Sequence, residues 1–287
     1  MTTEMEQLRD QIMGNSDLPF TAGHLRWLSE GGVVTPAAFK RLMEVQLDDY
    51  FRIDRSDGSG RLRASGFGSV SQPGIEYCER QHILSYIGAE ADAFSVSSME
   101  MMNTGTQLHY YYQLGGLSSG WLADIEVPLS YEPWKLRGSM DGLITDGTGL
   151  EIKTTGSTKY SKINSKRVAI KAQNVENQKT GIGEEAPLWK AADLSHLWQI
   201  HMYMMATEID KFSLVYIDRG WPSRFMEFRV ERDDKVMEAV DTNMKQLAAY
   251  ARDAILPPML ENCQKFVGKT YEGCRYRTSC PTIKEFP

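Results

Sequence analysis

The sequence predicts an α/β protein with a central mixed sheet flanked by helices, and two patterns in the chain carry this prediction. Five segments rich in Val, Ile, Leu and aromatic residues show the partial alternation of β-strands: 121–129, 134–145, 149–155, 212–218 and 224–230. Longer segments with apolar residues at helical spacing precede, separate and follow these strands. A sheet covered by helices is the layer arrangement that buries both kinds of apolar face.

The first part of the chain, residues 1–75, is predicted to be an added region of helices and loops. A helical pattern at 37–50 is followed by a Gly- and Ser-rich polar stretch at 55–74, which is typical of a loop or connection. The remainder, 76–287, is expected to form one compact unit with the sheet. The start of the chain mixes acids with Arg9, unlike a signal peptide, and no run of about 18 apolar residues occurs, so we expect a cytoplasmic protein with no membrane partner.

Four further segments have helical character. Two helices are predicted before the strands, at 77–88 and 98–114, and a third at 190–208 between the third and fourth strands. The last helix, 233–255, is closed by Pro257 and Pro258. The stretch 156–187 is basic and rich in Gly, Asn and Gln, and no regular element is assigned to it.

The segment 138–155 carries the residues with chemical potential. Asp146-Gly147 and Thr148-Gly149 are a turn signal between two apolar runs, so the flanking strands should form a hairpin. Glu151 and Lys153 are two residues apart on the second strand and therefore share a face. Asp141, on the first strand, can lie beside them.

Two converging carboxylates make a hard oxygen site of the kind that binds Mg²⁺ or Mn²⁺, and the carbonyl of Ile152 is a further candidate ligand. Lys153 would bring a cation to the same place, and together these groups suffice for hydrolysis of a phosphodiester bond. Taken alone, the three residues also fit an ordinary surface hairpin with a Glu–Lys pair. Neighbouring motifs decide between the two interpretations.

Those motifs are Gly105-Thr-Gln-Leu-His109 on a predicted helix upstream and Gln199-Ile-His-Met-Tyr203 on another downstream. With Asp141 and Glu151-Ile-Lys153 between them, the chain resembles the RecB-like branch of the PD-(D/E)xK nuclease superfamily. The resemblance implies a restriction-endonuclease-like core with helical additions at both ends. It also implies that His109, Asp141 and Glu151 bind metal, that Lys153 is catalytic, and that Gln199 and Tyr203 support the site or the DNA.

The cysteines extend this resemblance. They are Cys78 before the core and three near the C-terminus, Cys263, Cys274 and Cys280. This split arrangement is similar to that of RecB-like exonucleases of the CRISPR-associated and AddB type, in which four cysteines hold a 4Fe–4S cluster. The residues alone leave two alternatives open, a zinc site and inert buried thiols.

Local charge points to the substrate. The whole chain has a net charge of −6, which argues against a general nucleic-acid-binding surface, but one block directly after the catalytic strand is basic. Its candidates for contacting DNA phosphates are Lys159, Lys162, Lys166, Arg167 and Lys171. A solvated stretch without a DNA role fits the same residues.

The resemblance implies an exonuclease that acts on single-stranded DNA or on ends of double-stranded DNA, in repair, recombination, or phage or CRISPR-related processing in a prokaryotic or phage-infected cell. No nucleotide-binding P-loop is present, so a helicase activity would belong to a partner protein. A recombination or CRISPR protein is the other kind of partner that the resemblance implies. Two alternatives stay open. One is a catalytically silent DNA-binding or assembly protein with this fold, and the other is a structure- or site-specific endonuclease.

Overall fold

A six-stranded mixed sheet lies at the centre of the protein. The structure is a computed structural model that describes residues 18–51, 62–63, 78–181 and 183–285. The strands are β1 (Leu62–Arg63), β2 (Leu122–Tyr131), β3 (Leu136–Ile144), β4 (Gly149–Thr155), β5 (Lys211–Asp218) and β6 (Phe225–Glu231). The order is β1-β3-β4-β5-β6, with β2 paired along β3. The pairs β1–β3 and β4–β5 are parallel and the others are antiparallel.

Helices cover both faces of this sheet, which confirms the predicted fold class. They are α1 (Pro19–Ser29), α2 (Pro36–Phe51), α3 (Glu79–Tyr86), α4 (Val96–Ser119), α5 (Ser157–Thr180), α6 (Leu194–Thr207), α7 (Asp234–Arg252), α8 (Glu261–Gln264) and α9 (Gly268–Gly273). Successive side chains of β5 point to opposite faces of the sheet. Val215 and Ile217 pack in the core beneath α1, α2 and α4, and Leu214 and Tyr216 pack in the core beneath α6 and α7.

The predicted elements recur with boundaries shifted by a few residues, and the described chain has further elements. The first helix, α1, the short strand β1 and the short helices α8 and α9 were not predicted. Residues 157–180 form one long helix, although the sequence analysis assigned no element there. The Gly, Asn and Gln content of the stretch 156–187 suggested a loop, but its glycines lie outside the helix, and Tyr160 and Ile163 are buried on one side of the helix and stabilise it. The domain boundary proposed near residue 75 and most of the Gly/Ser-rich stretch lie outside the described residues.

The hairpin of β3 and β4 opens soon after its turn. Paired residues are restricted to Gly142 with Leu150 and Leu143 with Gly149. Beyond this point β4 continues beside β5, with which it pairs from Gly149 to Thr155. The register places Asp141 at the position where the two strands separate, so its side chain can enter the gap. Within the described parts of the chain, no helix is both long and apolar enough to cross a membrane.

A buried glutamate outside this gap ties α1 to the sheet. Glu227 on β6 is 5% exposed and accepts hydrogen bonds from the backbone N–H groups of Phe20 and Thr21 at 3.1 and 2.8 Å. The hydroxyl of Ser213 on β5 donates a third hydrogen bond at 2.6 Å. A carboxylate at a helix N-terminus satisfies N–H groups that have no partner within the helix, so Glu227 has a structural role.

Candidate active site

Asp141 occupies the gap between β3 and β4. Its Oδ2 accepts a hydrogen bond from the backbone N–H of Ile152 at 2.6 Å, in place of the regular strand pairing. Its Oδ1 lies 3.5 Å from Nδ1 of His109. Asp141 is thereby held against β4, directly beside Glu151. The sequence placed Asp141 and Glu151 together, and the structure does the same.

Glu151, Lys153, Gln199 and Tyr203 form one connected group. Nζ of Lys153 is 2.5 Å from Oε1 of Glu151, and it donates a hydrogen bond to Oε1 of Gln199 at 2.8 Å. The amide of Gln199 donates to Oε1 of Glu151 at 3.1 Å and to the hydroxyl of Tyr203 at 2.6 Å. The two motif residues of α6 are therefore on one helical face and support the glutamate and the lysine.

His109 reaches the site because α4 packs closely on β4. Gly105, one turn before it, faces Thr154, whose Oγ1 would be 2.8 Å from a Cβ at this position. A larger residue would push the helix away, so glycine is required for this approach rather than for a turn. His109 then lies beside Asp141, as the resemblance implies.

The ionisable groups shift one another. Burial raises the pKa of Glu151 to about 7, and the charge of Asp141 adds to this, against the ammonium of Lys153. Burial also acts to raise the pKa of Asp141, but His109, Lys153 and the N–H of Ile152 outweigh it, so that pKa is lowered. The pKa of His109 is raised by Asp141, although burial alone would lower it. The site therefore favours the ionised form of Asp141 and opposes ionisation of Glu151.

A third carboxylate, Glu126 on β2, was missed by the sequence analysis. The register puts it opposite Asp141, between the pairs Ile125–Gly142 and Val127–Met140. It accepts hydrogen bonds from Gln113 at 2.9 Å and Ser139 at 3.2 Å, and Gln113 also donates to the backbone carbonyl of Asp141 at 2.8 Å.

Burial, followed by the charge of Asp141, raises the pKa of Glu126 to about 7. Its φ of 47° is a left-handed conformation that costs a non-glycine residue energy. The available sequence signal was a glutamate between Ile125 and Val127 in a predicted strand.

The donor set suits a hard divalent cation. One oxygen of Glu151, Oε2, is buried and has no hydrogen-bond partner within the described part of the chain. The described residues do not gather three His, Cys, Asp or Glu side chains around one position for a metal ion. At this site, Lys153 and His109 are the positive groups in contact with the two carboxylates. A cation would have to take over part of that role, with Asp141, Glu151, His109 and the carbonyl of Ile152 as candidate ligands.

The basic residues predicted to contact DNA lie on α5, which begins two residues after β4. Lys162 and Lys166 are exposed and one turn apart, and Lys171 is exposed further along the helix. Lys159 and Arg167 are half-buried, and Lys159 forms an ion pair with Asp193 at 2.8 Å. The five residues therefore share a helix but do not form a single exposed row.

The four cysteines, distant in sequence, line one cavity. Cys78, Cys263, Cys274 and Cys280 are among the residues that line a cavity of about 20 Å³, and none forms a disulfide. Cys263 lines the same cavity although it precedes Cys274 by eleven residues in the chain. The backbone N–H of Tyr276 donates to Sγ of Cys274 at 3.3 Å. Burial raises the pKa of Cys78 to about 12, and the three other cysteines add to this.

Comparisons with known proteins return weak structural likenesses alone. No family model and no curated protein matches the chain. An alkaline exonuclease from Laribacter hongkongensis aligns with 16% identity over 68% of this chain and 89% of that chain, at a TM-score of 0.42. The complex of that exonuclease with dAMP aligns with 19% identity over 69% of this chain and 91% of that chain, at a TM-score of 0.42. The structure of SSO0001 aligns with 18% identity over 85% of this chain and 95% of that chain, also at a TM-score of 0.42. At these values the likenesses assign neither a family nor an activity.

Metal binding is expected to depend on pH. The pKa of Glu151 is about 7, so at lower pH a cation that binds this residue must displace its proton. The apparent Mn²⁺ affinity should therefore fall about tenfold for each pH unit below 7. A cation that also displaces a proton from His109, whose pKa is raised, would make the fall steeper and begin it at a higher pH. Calorimetric titrations with Mn²⁺ between pH 5.5 and 8.5 would measure it. An affinity that does not change over this range would contradict the role of Glu151.

Proposed function

We propose that this protein is a metal-dependent deoxyribonuclease that hydrolyses phosphodiester bonds. The observation that carries the proposal is the convergence of Asp141, Glu151 and Lys153 at the opening of the β3–β4 hairpin, with one oxygen of Glu151 buried and unpartnered among the described residues. Two buried carboxylates close to one amine are a costly arrangement in a folded protein unless a ligand uses them. Phosphodiester hydrolysis uses all three.

The residues would divide the work as follows. Asp141 and Glu151 would hold Mg²⁺ or Mn²⁺, with His109 and the carbonyl of Ile152 as further ligands. Such an ion supplies positive charge for the transition state and activates water as the nucleophile. Lys153 would stabilise the negative charge that develops on the phosphate, and Gln199 would hold the ammonium of Lys153 in place through their 2.8 Å hydrogen bond. Tyr203 would fix the amide of Gln199.

DNA is the proposed substrate because exposed lysines follow the catalytic strand directly. Lys162, Lys166 and Lys171 on α5 would neutralise phosphates beyond the scissile bond. Lys159 and Arg167 are weaker candidates, since both are half-buried and Lys159 already contacts Asp193. Action from DNA ends is favoured by the resemblance of the motifs to RecB-like exonucleases.

The experiment that tests the proposed activity compares end-labelled linear DNA, single- and double-stranded, with a closed circle. We expect the linear substrates to be degraded with Mg²⁺ or Mn²⁺ and to survive in excess chelator, while the circle survives throughout. Cleavage of the circle would identify an endonuclease instead. DNA binding without cleavage in any metal would indicate the silent alternative, and full cleavage in chelator would refute the metal requirement.

We also propose that the four cysteines hold a 4Fe–4S cluster with a structural role. The four cysteines are distant in sequence but line one cavity, and together with the resemblance to RecB-like exonucleases this supports a cluster. Cys78 lies before β2 and the other three follow α7, so a cluster would join two distant parts of the compact unit. A zinc site and inert thiols are the remaining alternatives. Cytoplasmic location, and a pathway in repair, recombination or CRISPR-related processing with a helicase or other partner, stay predictions.

A further inference from the structure

A histidine next to the active site is held in one orientation by a buried tyrosine. His196 lies on α6 three residues before Gln199, so the two side chains share a helical face. Its ring is partly buried, and Nδ1 is 2.7 Å from the hydroxyl of Tyr216 on β5. That hydroxyl also accepts a hydrogen bond from the backbone N–H of Asp193 at 3.1 Å. The roles proposed above do not involve this histidine.

These partners decide which nitrogen of the ring carries hydrogen. Tyr216 is fully buried, and within the described residues the acceptor in reach of its hydroxyl hydrogen is Nδ1 of His196. If Nδ1 donated instead, the hydroxyl hydrogen would be buried without an acceptor, which is costly. The hydroxyl therefore donates to Nδ1, and the neutral ring carries its hydrogen on Nε2.

The surroundings also keep the ring neutral. Burial lowers the pKa of His196 to about 3. The positive charges of Lys153 and Lys159 act in the same direction, and the carboxylate of Asp193 acts against them. Within the described residues, no group forms a hydrogen bond with Nε2, and the ring is partly exposed. The result is an uncharged N–H donor in the field of two ammonium groups.

We propose that His196 binds the DNA strand by donating its Nε2–H to a non-bridging oxygen of a phosphate near the scissile bond. This inference rests on the proposed nuclease function. A phosphate oxygen accepts hydrogen bonds and carries negative charge, which Lys153 and Lys159 favour. The neutral ring adds a directed contact without adding a third positive charge. Tyr216 is the positioning residue, because its hydroxyl fixes the ring and its tautomer.

The proton arrangement is tested by ¹⁵N NMR of the full chain without DNA, with the ring signals assigned through His196→Gln. We expect the chemical shifts of the neutral Nε2–H form between pH 6 and 8. Tyr216→Phe removes the hydroxyl, so this variant should show a mixture of the two neutral forms. A protonated ring in the wild type, or a ring with its hydrogen on Nδ1, would overturn the proposal.

The contact with DNA is tested by fluorescence anisotropy with Ca²⁺, a hard cation that binds oxygen ligands. His196→Phe should bind DNA about tenfold more weakly, as expected for loss of a hydrogen bond to a charged group. His196→Gln keeps an uncharged N–H donor and should recover most of the affinity. The control is His201→Gln on the same helix, where the ring contacts Leu197 and Asp233 instead, and its folded fraction should bind like the wild type.

A second set of DNA strands locates the phosphate. Each strand carries one uncharged methylphosphonate, at a different position. At one position this change should weaken binding to the wild type about tenfold and leave binding to His196→Phe unchanged, because two changes that remove the same contact are not additive. Each comparison uses one protein with two DNA strands, so a loss of folding alone does not change the ratio.

Other outcomes separate this inference from the proposed function. A wild type that cleaves DNA, with equal effects of every methylphosphonate on the wild type and on His196→Phe, would overturn the contact and leave the nuclease in place. A wild type that binds DNA but does not cleave it would overturn the activity, and the same binding comparison would still decide the role of His196. A wild type that does not bind DNA would overturn both.

Discussion

Replacement of Glu151 by glutamine is expected to lower the rate of DNA cleavage by roughly 10³-fold or more without lowering the stability of the fold. A divalent ion contributes several kcal/mol to the transition state, and about 1.36 kcal/mol corresponds to a tenfold change in rate. The amide of glutamine is a poor metal ligand. Its carbonyl can still accept the hydrogen bond from Gln199 and the contact from Lys153 that Oε1 of Glu151 now accepts.

Stability should be preserved because the native carboxylate is itself unfavourable. Burial raises the pKa of Glu151 from near 4.5 to about 7, so the folded chain binds this proton more tightly than the unfolded chain. Its contribution to stability is therefore full below pH 4.5, falls as the pH rises to about 7, and is lost above. Glutamine removes this penalty, and the unfolding temperature at pH 8 without metal should be unchanged or raised.

Glu227→Gln is the matched control, since it makes the same change at a buried glutamate outside the site. Burial raises the pKa of Glu227 too, but both of its oxygens accept hydrogen bonds, from Phe20, Thr21 and Ser213. The amide of glutamine has one acceptor oxygen and would leave a buried N–H group without a partner, so we expect a loss of roughly 1–3 kcal/mol in stability. The cleavage rate per folded molecule should stay at the wild-type value. Single-turnover cleavage and thermal unfolding of both variants measure the two effects. A Glu151→Gln protein that cleaves at the wild-type rate would contradict the site assignment.

The second large effect concerns the cysteines. Protein purified without oxygen should be brown with about four iron atoms per chain, and Cys280→Ala should lose most of this iron. A metal group that joins distant segments contributes several kcal/mol, and about 1 kcal/mol shifts the unfolding temperature of a chain of this size by roughly 2–4 °C. The variant should therefore unfold about 10 °C or more below the wild type.

Lys284→Ala is the control for this prediction, because the residue is exposed and close to Cys280 in sequence. It should keep the iron and the unfolding temperature. Metal analysis, absorbance spectra and thermal unfolding of the three proteins provide the comparison. Colourless, folded wild-type protein with one zinc ion would replace the cluster by a zinc site, and metal-free, folded wild-type protein would identify the cysteines as inert thiols.

Much of the fold follows from local patterns in the sequence. The strand β4 was predicted with its observed bounds, 149–155, and α7 was predicted within three residues of its observed end. Alternation and helical spacing depend on which side of a segment is buried, so they can be read without the rest of the chain. The helix α5 was missed because its buried residues are few and its many Lys, Asn and Gln residues hide the helical spacing of Tyr160 and Ile163.

The residues of the active site also differ in whether local sequence patterns could group them. Asp141, Glu151 and Lys153 are neighbours across a hairpin or along a strand, so short-range geometry was sufficient to group them. Glu126 and Gln113 belong to β2 and α4, and they meet Asp141 only because β2 pairs with β3 in one particular register. The sequence offers no local signal for that register.

By itself, then, the sequence determined the order and type of most elements and the acids and lysine of the β3–β4 hairpin, since these depend on contacts between near neighbours in the chain. Tertiary structure alone decided where β4 leaves β3 and which buried groups surround Asp141. It also decided that Cys263 shares a cavity with Cys78 and that Arg80 donates to Cys280. These features depend on the packing of elements that no local pattern relates, with partners from 28 residues apart, as for Gln113 and Asp141, to 200 residues apart, as for Arg80 and Cys280.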